Sequence, residues 1–78
     1  MTDDERSVLV FEQQHPSNDR RKEAAVRETF DVTWVRYQQH LLRLTAREDV
    51  LAEFAPVAHR VQRQTEQRVS ARAAKRFA

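Results

Sequence analysis

The chain has 78 residues, 40% hydrophobic, 33% charged and 8% aromatic, with a formal net charge of +2, which suits one small folded domain with a correspondingly small core. Without cysteine there are no disulfides or thiolate–metal sites, and without glycine there is no glycine-rich phosphate loop. No apolar run approaches the ~20 residues of a membrane span, and the acidic Asp3-Asp4-Glu5 start is unlike a signal peptide, so a soluble cytoplasmic protein is expected.

Thr2-x-x-Glu5 has the form of a capping box. With Val8, Leu9 and Phe11 it predicts a first helix over about residues 3–14. His15-Pro16-Ser17-Asn18 breaks the pattern, and Asn18 or Asp19 can cap a second helix. That helix carries Val26 and Phe30 on its apolar face, Ala25 as a small neighbour, and Glu23–Arg27 in the favourable (i, i+4) order. Thr33 caps a third helix, whose Tyr37, Leu41 and Leu44 fall on one face. Thr45-x-x-Glu48 predicts another capping box, opening a short fourth helix with Val50, Leu51 and Phe54. Pro56 suits the first turn of a fifth helix running to about Lys75, with Val57, Val61 and Val69 as thinning apolar positions and an end that projects or frays. No alternating strand pattern competes. The fold class is therefore all-α: a single domain over 1–78, a helix-turn-helix over 19–44 and a long basic C-terminal helix over 56–76.

The charge is unevenly placed. Residues 55–78 carry Arg60, Arg63, Arg68, Arg72, Lys75 and Arg76 against Glu66 alone, whereas residues 1–54 are net acidic. Such a segment is either a solvated helix surface or a surface for an acidic partner, most often nucleic acid.

Only Asp31, Val32 and Thr33 separate the second and third helices, so the two must cross steeply, as in a helix-turn-helix. Such a turn needs a left-handed residue, and Asp tolerates that conformation better than most residues. Asp31 is expected to stand where glycine is usual, Val32 to tuck into the angle, and Thr33 to cap. If Tyr37 and Leu41 face inward, Trp34, Val35, Arg36, Gln38 and Gln39 lie largely outward, with Arg43 further along. Arg pairs with guanine and Gln with adenine in a major groove. No acidic residue stands between Thr33 and Leu44, and Thr33 with the free N–H groups of its helix start suits a phosphate. Helix pairs with equally short turns also occur in proteins that do not touch DNA.

The remaining chemistry is plain. His15, His40 and His59 lack metal-ligand spacing, and no metal or cofactor is expected. Ser7, Ser17 and Ser70 lack a nucleophile motif, and the carboxylates sit beside bases at helical spacing, so no enzyme is expected. Trp34 reads as a core residue, an anchor for a protein partner, or a base contact.

The run from Phe30 to Thr33 resembles the helix-turn-helix of sigma factor region 4. Phe11-Glu12, Lys22-Glu23, Arg27-Glu28, Phe30, Arg36-Tyr37, Leu41, Leu51-Ala52, Pro56, Arg60 and Arg63 resemble, without gaps from about Leu9 to Arg76, a family of small uncharacterised actinobacterial and actinophage proteins. The chain departs from that pattern at His15-Pro16, where the family has paired tryptophans. It departs again at Asp31, where the family has glycine, and at Ala55, where it has Asp. The resemblance implies a helix-turn-helix fold. Together these features lead to an expected non-enzymatic double-stranded-DNA-binding protein, a transcriptional regulator or phage-encoded modulator. Its expected contacts are Thr33, Trp34, Val35, Arg36, Gln38, Gln39, Arg43, Arg60, Arg63, Arg68, Arg72 and Lys75. The alternative is a module binding RNA polymerase or another host protein through Trp34 and the acidic first helix. A third possibility is a homodimer paired through the fifth helix.

Overall fold

The Thr2 hydroxyl accepts from the Glu5 amide at 3.2 Å, and the Glu5 carboxylate accepts from the Thr2 amide at 2.8 Å. This reciprocal capping box starts α1, Asp3–Gln14. The Thr2 amide, then Arg47, holds the Glu5 carboxyl below the usual carboxylate range. The computed structural model describes residues 1–77, with side chains through Arg68. After α1 come α2 (Arg20–Phe30), α3 (Trp34–Thr45), α4 (Glu48–Glu53) and α5 (Ala55–Phe77), with no strand among the described residues. Val69, Arg72, Lys75 and Arg76 fall outside the described side chains.

Asp19 takes the cap of α2, accepting from the Lys22 amide at 2.9 Å. Glu23 and Arg27 form no ion pair, although their spacing allows one. The start of α4 differs from the sequence expectation. Thr45 is the last residue of α3, and its buried hydroxyl donates to the Leu41 carbonyl at 2.9 Å. The cap position of α4 belongs to Arg47, with no side-chain capping bond. Threonine can satisfy the i−4 carbonyl of its own helix. Thr45 sits in the buried stripe of α3, where that carbonyl is within reach. Arg47 instead pairs with Glu5 and Asp49, tying α4 to α1 across the surface.

Phe54 alone separates α4 from α5. Its amide donates to Val50 and its carbonyl accepts from Ala58, so one residue closes one helix and opens the next. Pro56 lies in the first turn of α5, where a missing N–H removes no intrahelical bond.

The core explains why α3 is the central element. Val8, Leu9 and Phe11 of α1, Val26 of α2 and Val50 of α4 surround Tyr37, Leu41 and Leu44 of α3. Phe54 and then Val57 and Val61 of α5 close the other side. Accordingly α3 packs against all four other helices, most extensively α5.

Candidate functional site

Asp31 closes α2 with φ 54° and ψ 42°, the left-handed region that glycine usually fills, while its amide donates to the Arg27 carbonyl at 3.0 Å. Thr33 then caps α3, its hydroxyl accepting from the Arg36 amide at 3.2 Å. Val32 lies between, half-buried against the core. A three-residue turn therefore joins α2 to α3 without glycine.

A buried polar network fixes the position of α3. The Glu12 carboxylate, 1% exposed, accepts from Lys22 Nζ at 2.7 Å and from the Tyr37 hydroxyl at 2.6 Å. Arg60 Nη2 donates to the Glu12 carbonyl at 2.6 Å, and Lys22 also donates to Asn18 Oδ1 at 2.8 Å. Four of the five helices or their linkers thus meet at one carboxylate. Burial lowers the Lys22 pKa below its ordinary value while Glu12 pulls it back up. Burial, then the bond to Glu12, pushes the Tyr37 phenol far up, so it stays protonated and donates. The network has a signal in the sequence, though not one that spacing alone singles out. Glu12 lies three and four residues beyond Leu9 and Val8, on the apolar face of α1, and Lys22 lies four before Val26 on that of α2.

Aromatic rings continue the contact. Tyr37 stacks on Phe30 and Trp34 at 6.1 and 5.7 Å, and Phe11 meets Phe30 edge-on at 5.3 Å. Trp34 is half-buried, with Lys22 Nζ 5.9 Å from its ring centre, which makes it an edge-of-core residue with one side towards solvent.

The two stripes of α3 are distinct. Positions 34, 37, 38, 40, 41, 44 and 45 are buried or half-buried, a broad core-facing side built on (i, i+3, i+4, i+7) spacing from Tyr37. Val35, Arg36, Gln39, Leu42 and Arg43 form the exposed stripe. Gln38 therefore belongs to the flank of the core rather than to the outward face expected from sequence. Its amide nitrogen is buried with no partner.

The arginines of α5 are not one row. Arg60 is turned inward on Glu12, so it is not the free surface cation that its sequence position suggested. Arg63 follows the buried Val61 by two positions, roughly 200° around the axis, and is exposed on the side away from the core. Arg68, seven positions beyond Val61, shares its side past the end of the core and is also exposed. Arg72 and Lys75 fall outside the described side chains. Among the described residues no cluster of His, Asp and Glu is placed to hold a metal, and no helix is long and apolar enough to cross a membrane.

The exposed stripe of α3 combines two guanidiniums, one amide and two apolar side chains on a helix tied to α1 by the Tyr37–Glu12 bond, and it carries no carboxylate. Such a surface suits hydrogen bonding to a polyanion or contact with a mixed polar–apolar partner. No curated protein and no solved structure matches the chain. The family described as Protein of unknown function (DUF3263) matches over residues 1–73, and the chain belongs to that family.

Proposed function

We propose that the protein is a non-enzymatic double-stranded-DNA-binding module in which α3 enters the major groove. The observation that carries this reading is the acid-free exposed stripe of α3, Arg36, Gln39 and Arg43 with Val35 and Leu42, projected by the short Asp31–Thr33 turn. Arg36 and Arg43 suit guanine edges, Gln39 suits adenine, and Val35 suits a thymine methyl. Thr33 and the free amides of the first turn suit a backbone phosphate. Arg68, with Arg72 and Lys75 further along α5, adds non-specific phosphate attraction. A transcriptional regulator or a phage-encoded modulator would use such a module. An RNA polymerase contact would be compatible with it. Gln38 and Arg60 have no part in the reading, since both are turned into the fold.

One observation favours a second reading. Val35 is 63% and Leu42 41% exposed on the same stripe, two turns apart, and exposed apolar side chains on one helix face also serve protein interfaces. Selection of a preferred duplex, followed by titration of Arg36→Ala and Gln39→Ala on preferred and scrambled DNA, separates the two. Under the DNA reading each variant loses roughly 1–3 kcal/mol of discrimination at one base pair. Arg63→Ala, on the far side of α5, serves as the control and should leave both affinities unchanged. Normal binding by both α3 variants would transfer the stripe to a protein partner.

A further inference from the structure

A second arginine pair lies beside the α3 stripe, on a helix that the reading above does not use. Arg20, Glu23, Ala24 and Arg27 are spaced i, i+3, i+4 and i+7, so they share one face of α2. With Thr33 and Trp34 they line a concave surface of about 420 Å³ at the corner where α3 begins. Both arginines are exposed, and neither is ion-paired among the described residues, although Glu23 lies between them in sequence. Arg20 also occupies the first position of α2, at the positive end of the helix dipole, where a cation is locally unfavourable.

We infer that this concavity holds one backbone phosphate of the duplex, with Arg20 and Arg27 as its guanidinium clamp. The inference rests on the DNA reading and adds the residues that set the register of α3 in the groove. Guanidinium is matched to phosphate oxygens by its planar fork. The half-exposed Trp34 ring forms a wall of the concavity, and Thr33 places the first turn of α3 at its edge. A phosphate held there lies beside the start of the stripe, so it positions Arg36 and Gln39 without carrying sequence information itself. Glu23 is the opposing group, and its carboxylate limits the strength of the clamp.

The test is binding to mixed-sequence duplex across a potassium chloride series by wild type, Arg20→Ala, Arg27→Ala, the double variant and Glu23→Gln. All three substituted side chains, Arg20, Glu23 and Arg27, are exposed, and circular dichroism checks that each variant stays folded. The expected result is a salt slope reduced by at most about 1 in each single arginine variant and by about 1 in the double, the loss of one phosphate contact, with sequence preference unchanged. Arg20→Lys should retain the wild-type slope, and Glu23→Gln should tighten binding. Trp34, the lone tryptophan, should change emission on DNA addition in wild type and not in the double variant. Wild-type binding with an unaltered slope in the double variant overturns the clamp and leaves the DNA reading standing. No salt-dependent binding by wild type overturns both.

Discussion

Replacing Glu12 by Gln keeps the shape of the buried side chain and removes its charge. Lys22, 1% exposed at its side chain, then holds its ammonium 2.7 Å from a neutral amide, with the Arg60 guanidinium adding repulsion. Removing one partner of a buried pair costs about 3–5 kcal/mol, because the remaining charge has lost both water and its counter-ion. A chain of this length has about 4–12 kcal/mol in total, at ~0.05–0.15 per residue. Glu12→Gln should therefore lie near the limit of folding, and a loss of 3 kcal/mol alone lowers Tm by about 12–24 °C in a domain this small. Lys22→Met should cost about 3 kcal/mol, the low end, because Glu12 keeps Tyr37 and has Arg60 at 3.7 Å. The double variant removes both charges, so its loss should fall short of the summed single losses by about 2–3 kcal/mol.

Urea denaturation followed by Trp34 emission measures all three. The pH dependence supplies an internal check. In Glu12→Gln the Lys22 pKa is depressed by burial with its counter-ion gone, so the folded state binds fewer protons than the unfolded one. The deficit should then narrow as pH rises from 7 towards the ordinary lysine value of 10.5. Strict additivity of the two single variants, with a pH-independent deficit, would refute the coupling and leave Glu12 a spectator of the fold.

The backbone and the phenol give two further expectations. Asp31→Gly should be nearly neutral, because glycine adopts φ 54° without strain but loses more freedom on folding, whereas Asp31→Val should cost about 1–2 kcal/mol in thermal melts; equal stability of the two variants would place no demand on the turn. Tyr37 is the lone tyrosine, and its raised pKa means stability that is complete below the ordinary value of 10.0 and lost as pH rises above it. The phenolate absorbance band should therefore appear together with loss of helicity, and a band that develops while the helices persist would show the hydroxyl to be free of Glu12.

How far the sequence carried the fold depends on which force dominates each element. Local forces were readable. Thr2 with Glu5, and Thr33 with the Arg36 amide, are caps set by neighbours in the chain, and Asp31 was the residue whose side chain tolerates the required φ. The apolar spacing of Tyr37, Leu41 and Leu44 located the buried stripe of α3. Thr45 was misread because the same hydroxyl that can cap a following helix can also bond back to Leu41, and burial decides between the two. Gln38 was misread because a helix buries a stripe wider than its strictly spaced apolar residues. Arg60 was counted as a surface cation because its charge is visible in sequence, while the Glu12 carbonyl that receives it lies 48 positions away.

The same long-range contact bears on function. An apolar stripe alone specifies the rotation of α3 less sharply than a polar contact does, since apolar burial is non-directional. The Tyr37–Glu12 bond is directional. Turning α3 by one residue position, about 100°, would carry the phenol off the carboxylate and leave Glu12 short of a buried donor. The apolar side chains that could replace this network often stabilise a fold as well or better, so net stability is a weak reason for its presence. What it supplies is a defined rotation of α3, shared with α1 through Glu12, with α2 through Lys22 and with α5 through Arg60. Arg36 and Gln39 lie one position before and two after Tyr37, so the bond that seats the phenol also sets their direction. For a helix proposed to read base edges, where a bidentate contact has narrow angular tolerance, that is the property the buried charges would serve.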